Sequence, residues 1–386
     1  MDSFLDIHEM SLNKTGEELC GDQVKILHTE EKTIIVLSDG LGSGVKASIL
    51  STLTSSIIVT LGRSDVPLDE VIKTVIGTLP IDKYRKVAYA TFTIVEITRG
   101  SGSFRIVNFD NPRSFYFKAG RQLDLEVQTQ QIEGHEIAIC NGVLARGDFL
   151  ALISDGVLYA GLGNVMDFGW GRENIGHFIE GQLIRNGRTA QAVVRGVMNE
   201  TSALYNGKIG DDATFVGIYA RERHSLAIFT GPPLDQEQDE RYIDLFMDFK
   251  GRKVVCGGTT ANMIAAHQQA PLETDISSMR ADVPPAGSMP GVDLVTEGIF
   301  TMSKCLELMR ASGGDPNRLP GDHNGADMLA RELLRADTIR MIVGQSINEW
   351  YQNPLLPRSI SIRRQLVEEI AEYLKTLKKE VRLEFC

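Results

Sequence analysis

Cysteine is scarce and poorly placed for cross-linking. Cys20, Cys140, Cys256, Cys305 and Cys386 are odd in number and far apart, with no Cys-x-x-Cys pair among them. That excludes a disulfide-built scaffold and leaves reduced thiols as the expected state. Together with only seven histidines, these thiols are too scattered for a zinc cluster. Basic charge is short as well. With 40 Lys and Arg against 51 Asp and Glu, a net charge of −11 offers nucleic-acid phosphate no general basic face. No window approaches eighteen uninterrupted apolar residues, so no membrane partner is expected. The opening Met1-Asp2-Ser3-Phe4-Leu5-Asp6 has neither the basic region nor the apolar core of a leader peptide, and the expected location is cytoplasmic. Heptads, internal repeats and low-complexity tracts are missing too. At 386 residues and 42% hydrophobic, the chain is long enough for two globular domains.

What is present is organised around Val36-Leu37-Ser38-Asp39-Gly40-Leu41-Gly42-Ser43-Gly44-Val45-Lys46. The run Thr33 to Leu37 reads as a buried strand that stops on a carboxylate. Three alternate glycines then lead into a helical stretch, Ser43 to Leu61. An acid at a strand tip beside closely passing main chain is a place to hold a cation, or a phosphate. Two nucleotide readings fail. A P-loop needs Lys directly after its last glycine, and Val45 intervenes before Lys46; a dinucleotide fingerprint needs a third glycine one place beyond Gly44 and an acid ending the next strand. An Asp-Gly turn made for conformational reasons alone is the plain alternative.

The pattern recurs. Phe149 to Val157 is a second apolar strand ending in Ser154-Asp155-Gly156, Asp211-Asp212 precede a third strand from Ala213, and Gly21-Asp22 precede the strand from Val24. Acidic strand ends so far apart in sequence converge if they share one edge of a fold. Carboxylates with glycine carbonyls and water suit Mg²⁺ or Mn²⁺.

Gly21-Asp22, Ser38-Asp39-Gly40, Ser154-Asp155-Gly156 and Asp211-Asp212-Ala213-Thr214, in that order, resemble the motifs of the metal-dependent protein phosphatase 2C (PPM) family. Asp39 to Gly44 with Ala47, and Gly147-Asp148 leading to Leu152 to Val157, are most similar to its bacterial branch typified by the sporulation phosphatase SpoIIE. Where eukaryotic members carry His after Asp-Gly, this chain has Leu41, which leaves the general acid unassigned. The resemblance spans roughly residues 1 to 222. It implies an α+β fold, an α/β/β/α sandwich of two antiparallel sheets flanked by helices. It also implies two metal ions, Mg²⁺ or Mn²⁺, with Asp39 catalytic and bridging both. The Gly40 carbonyl and Asp22 serve the first ion, Asp155 and Asp211 the second, and Asp212 is an outer neighbour or a further ligand. The implied substrate is phosphoserine or phosphothreonine on a bacterial regulatory protein.

Along the first domain, helices are expected over Ser43 to Leu61, Asp69 to Thr78, Arg172 to Arg185 and Thr189 to Tyr205, the last two parted by a stop at Asn186-Gly187. Strands are expected over Val87 to Thr98, Ser103 to Asn108, Arg113 to Lys118 and Ile137 to Cys140. The segment Tyr159 to Gly171 mixes glycine with large apolar groups: a flap that docks a protein substrate, or a loop folded onto its own core. After the polar joint Arg221-Glu222-Arg223-His224, residues 225–386 alternate strands and helices, which implies a smaller α/β domain with a mainly parallel sheet. Gly257-Gly258-Thr259-Thr260 and Gly344-Gln345-Ser346 follow strands there. Each is an anion site in principle or a plain small-residue turn. The tail Ile362 to Glu380 reads as one amphipathic helix for packing or self-association, with a homodimer among the outcomes. Two other functions stay open: a weakly active or inactive phosphatase-like scaffold whose second domain binds a ligand or partner, and a hydrolase of a small phosphometabolite.

Overall fold

The computed structural model describes residues 4–64, 66–78, 90–163, 165–185, 189–280, 282–346 and 362–386. The expected stop at Asn186-Gly187 and the first residues of the strand from Val87 lie outside them. The chain divides into two compact units, Met1–Glu222 and Arg223–Cys386.

The first unit opens with β1 (Phe4–Leu12), β2 (Asp22–His28), β3 (Lys32–Gly40), α1 (Gly44–Arg63) and α2 (Leu68–Thr78). Then come β4 (Ala90–Thr98), β5 (Ser103–Phe109), β6 (Phe115–Lys118), β7 (Arg121–Leu123), β8 (Val127–Ile132), β9 (His135–Val143) and β10 (Phe149–Ile153). It closes with α3 (Asp155–Leu158), α4 (Arg172–Arg185), α5 (Ala190–Leu204) and β11 (Ala213–Arg221). One antiparallel sheet has the order β1-β11-β10-β6-β7, the other β2-β3-β4-β5-β9-β8. Side-chain alternation on the strands explains the layering. Ile34 and Val36 of β3 pack with Val71, Ile72 and Val75 of α2, while Ile35 and Leu37 face Leu150, Leu152, Val216 and Ile218 of the opposite sheet. The outer face of that sheet, Ala151 and Ile153 with Phe215, packs on Ile175, Ile179, Val194 and Met198 of α4 and α5. The result is the expected sandwich: helices, two antiparallel sheets, helices.

The second unit contains β12 (Ser225–Thr230), α6 (Asp239–Met247), β13 (Arg252–Cys256), α7 (Gly258–Gln268), β14 (Glu273–Asp275), β15 (Ala286–Met289) and β16 (Val292–Thr296). These are followed by α8 (Ile299–Ala311), α9 (Gly325–Arg335), β17 (Thr338–Val343), α10 (Ile362–Thr376) and β18 (Glu380–Phe385). Five strands run parallel in the order β16-β13-β12-β17-β18, and β15 and β14 extend the β16 edge antiparallel. The tail is therefore a shorter helix than the sequence suggests. Lys378 takes a left-handed φ of 61°, which ends the helical run and turns the chain into β18.

Candidate metal centre

The site forms where the inward rows of four strands run out. Along β3, Ile35 and Leu37 point between the sheets, and alternation puts Asp39 on the same side. Val24 and Ile26 do this for Asp22 on β2, Val216 and Ile218 for Thr214 and Asp212 at the start of β11, and Leu150 and Leu152 for Ser154 just past β10. Each row is apolar inside the sandwich and ends on oxygen. Asp22 pairs directly with Asp39 in the β2–β3 register, so their Cβ atoms stand about 4.5–5.5 Å apart on one face.

The second sheet brings its acids to the same place. Thr214 N donates to Ser154 Oγ at 2.8 Å, Ser154 N donates to Thr214 O at 3.0 Å, and the Thr214 and Ser11 hydroxyls are 2.8 Å apart. Asp155 follows Ser154 as the first residue of α3. A Cβ on Gly156 would strike the Asp212 carbonyl, and one on Gly40 would strike that of Ala47. The glycine after each Ser-Asp step therefore lets two backbones touch. Tyr205 Oη donates to Gly156 O at 2.7 Å and pins the turn behind Asp155.

Hydrogen bonding distinguishes the adjacent acids of β11's approach. Asp212, 4% exposed, accepts from Lys14 N on Oδ1 and from Gly21 N on Oδ2, both at 2.9 Å, and so staples one sheet to the loop that starts the other. Asp211 is half-buried, with Lys14 Nζ at 3.8 Å. At α1, Ser43 Oγ donates to Glu17 Oε1 at 3.0 Å, and a Cβ on Gly44 would run into the Glu17 carboxylate. That helix start already has its anion, which leaves the cation reading of the Asp39 stretch and not the phosphate one.

Burial comes first among the causes that push Asp39 up to about 9, followed by the charges of Asp22, Asp155, Asp211 and Asp212. Burial likewise raises Asp22 to about 7, against the pull of the Ser154 and Thr214 hydroxyls, with Asp212 and Asp155 adding to the rise. The two hydroxyls are engaged elsewhere, Thr214 with Ser11 and Ser154 with Thr214 N, and both Asp22 carboxylate oxygens are buried without a hydrogen-bond partner. Asp155 is raised by burial and then by Asp211, with Lys14 opposing. Among the described residues, no three His, Cys, Asp or Glu side chains close on a common point as a ready-made cage. The donors fit a different kind of ion. Mg²⁺ and Mn²⁺ take one or two carboxylates each and fill the remaining positions with carbonyl oxygen and water, and orphaned, mutually repelling carboxylates are what a dication would satisfy.

The residues that sequence reasoning missed are the hydroxyls of Ser11, Ser154 and Thr214, the cation Lys14 and the anchor Tyr205. Extending each apolar inward row by two residues would have found Ser154 and Thr214. Beside α3, the Tyr159–Gly171 segment divides. Trp170 is 4% exposed and lies edge-on to Phe178 at 5.3 Å, whereas Leu162, Val165 and Phe168 are exposed, Phe168 at 87%.

Asp39, Gly40, Asp155, Asp211 and Asp212 all fall within residues 29–221, half of the chain, which match the family model of stage II sporulation protein E (SpoIIE). The chain belongs to the SpoIIE family. Asp22 lies just before the matched segment. Among solved structures, this SpoIIE-family chain is similar to the PP2C phosphatase domain with a fragment of the regulatory domain of SpoIIE from Bacillus subtilis. Identity there is 19% and the TM-score 0.50, over 57% of this chain and 64% of that one. The Bacillus subtilis SpoIIE phosphatase domain without domain swapping aligns at 20% identity and TM-score 0.45, over 57% and 94% of the two chains. The RsbU and RsbW domains of a Mycobacterium tuberculosis protein align at 16% and 0.46, over 57% and 60%. The chain thus spans under two thirds of the first and last of these. At 19% identity the first of these likenesses shows the fold alone, that of a PP2C-type phosphatase domain. A comparison with curated proteins found no match.

Proposed function

We propose that this SpoIIE-family chain hydrolyses phosphoserine or phosphothreonine on a protein. In this reading residues 1–222 are the phosphatase domain, and 225–386 are an accessory domain. Asp22, Asp39, the Gly40 carbonyl, Asp155 and Asp211 hold two divalent cations, Mg²⁺ or Mn²⁺. One observation carries it: four acidic strand ends meet at one end of the sandwich, and Asp22, buried among them, has both carboxylate oxygens unpartnered. When bound, the dications acidify water and neutralise charge on the phosphoryl group. The chain's own residues do the rest. Asp39 feels the charge of all four other acids, the position a shared ligand needs. Asp212 spends its oxygens on two main-chain amides and fixes the spacing between the sheets. Tyr205 holds the Gly156 turn, and with it the direction of Asp155. Exposed Leu162, Val165 and Phe168 beside α3 favour a protein substrate over a bare metabolite, because they offer apolar anchors that a small phosphate does not use.

The test is turnover of an aryl phosphate and of a phosphoserine protein with Mn²⁺. Asp39→Asn and Asp155→Asn should abolish both activities, while Asp69→Asn, which only removes a surface ion pair with Arg105, should keep them. A folded wild-type chain without metal-dependent turnover would leave the scaffold function. Turnover of small phosphates with none on phosphoproteins would leave the metabolite hydrolase.

A further inference from the structure

In the second unit the chain starts its parallel sheet at β12, builds outward through β13 to β16, then returns to the other side of β12 for β17 and β18. The order reverses between β12 and β17. In open α/β sheets the crevice beyond the carboxyl ends of the strands at such a reversal is where ligands bind. The registers pair Thr230 with both Cys256 and Val343, and Cys256 with Thr296. The next residues along, Glu297, Gly257, Gly231 and Gly344, therefore stand abreast across four neighbouring strands. Three of the four have no side chain, along an edge of roughly 14 Å at about 4.8 Å per strand; at Gly231 and Gly344 that space is taken by the Arg363 guanidinium and the Pro232 carbonyl, and at Gly257 it is left open beside Glu297.

The two ends of this edge carry opposite charge. Over Gly231 and Gly344 lies the guanidinium of Arg363, close enough that a Cβ on Gly231 would run into it. Its Nη1 donates to Gly344 O at 2.9 Å and Ser346 O at 3.2 Å, and no carboxylate pairs with it among the described residues. Arg364 beside it is bonded to Glu368. Arg363 is also the second residue of α10, whose first turn holds no acid. A cation at the positive end of a helix is the reverse of what the helix dipole favours, and an anion bound there would relieve both. At the opposite end, the Glu297 carboxylate stands 3.6 Å from where a Cβ on Gly258 would be, at the start of α7. That start has Gly257 as its cap and no side-chain bond. In the same turn the Thr260 hydroxyl, 1% exposed, has no partner and faces Gly257 at 3.6 Å from its Cβ position. The approach to α6 is closed to anions, since Asp235, Glu237, Asp239 and Glu240 crowd it.

We propose that this crevice binds a nucleoside phosphate, with the phosphate on Arg363 and the ribose hydroxyls on Glu297. Arg363 offers the fork that phosphate oxygens accept from, Glu297 accepts from vicinal hydroxyls as acids at strand ends do in nucleotide folds, and Gly257, the uncovered glycine between them, leaves room for the body of the ligand.

Calorimetric titration of the full chain tests this, in EDTA so that the acidic centre of the first unit is without dications. AMP and GMP should bind saturably, roughly tenfold or more tighter than either inorganic phosphate or adenosine. Arg363→Gln should weaken AMP by a similar factor and leave adenosine unchanged. Glu297→Gln should bring AMP down to the level of inorganic phosphate while phosphate itself is unaffected. Arg363→Lys, which keeps the charge, should fall between wild type and Arg363→Gln, and thermal unfolding should show each variant folded. Absence of saturable nucleotide binding at millimolar concentration, AMP affinity equal to that of phosphate, or affinity indifferent to both substitutions would overturn the proposal.

Discussion

Asp39 is costly to the fold when no cation is present, and that cost has a sign that can be measured. Its folded pKa of about 9 lies above that of an unfolded carboxyl, near 4. Between those values the folded chain keeps a proton that the unfolded chain has released, so stability falls as pH rises through the window. Thermal melts of the metal-stripped protein should show the first unit losing stability from about pH 5 to pH 9. Asp39→Asn should flatten that slope and raise the melting temperature at pH 8, by roughly 2–4 °C for each kcal/mol of repulsion removed. Saturating Mn²⁺ should reverse the order, stabilising wild type well above the variant. If the variant is no more stable than wild type in EDTA, the carboxylates do not repel as described. The neighbouring pair separates by a different measurement. Asp212→Ala strands the amides of Lys14 and Gly21 and should cost about 1–3 kcal/mol in urea unfolding without metal. Asp211→Asn should leave that stability near wild type and weaken Mn²⁺ binding instead.

At the scale of elements, α1 is built inside out. Gly44, Ala47, Ser51, Thr54, Ser55, Ile58 and Gly62 face the sheet, while Val45, Ile49 and Leu53, four residues apart, are each more than half exposed. By length and composition alone the helix is apolar enough to cross a membrane, although part of it is buried in the fold. The cause is close approach. Ala47 lies against Gly40, and a Cβ on Gly62 would meet Ile34 Cδ1 at 2.6 Å, so only small side chains fit at these close points, and Ile58 is the one large residue on the buried face. Ala47→Leu should therefore cost about 1–3 kcal/mol through overpacking and displace Gly40 from the metal centre. Ile49→Ser should change stability by no more than about 0.5 kcal/mol. Equal effects in urea unfolding would refute this account of the helix. The sequence predicts the helix but not which side is inside, because apolar periodicity marks a core face only where the neighbouring backbone leaves room for large side chains. Strands divide similarly. β3 and β10 were legible because both their faces are buried, which makes the apolar run continuous. β8 was not, since Gln128, Thr129, Gln130 and Gln131 lie exposed on a sheet edge. β1 and β18, both at sheet edges, escaped because they are only partly buried and polar residues interrupt their apolar ones. Of the candidate site, the acids stood out because each ends an apolar run and is followed or preceded by glycine. The hydroxyls and Lys14 did not, because they matter only through contacts across more than fifty residues of chain.

At the scale of the whole molecule, stability is divided between independent cores. The three clusters of the first unit draw only on residues before Arg223, and the two of the second only on residues after it. Cores that share no side chains lose their packing separately unless a large interface couples them, so one unfolding temperature is not expected for this chain. Calorimetry of the full protein should resolve two transitions. A ligand that binds only the folded form raises stability by about 2.7 kcal/mol at one hundred times its Kd, and it does so only for the unit that holds it. Mn²⁺ should therefore move one transition upward by several degrees and leave the other in place, and Asp155→Asn should abolish that movement without shifting the second transition. A single transition that Mn²⁺ moves as a whole would mean that the units unfold together, and a transition that moves equally in the Asp155→Asn protein would place the ion outside the acidic cluster.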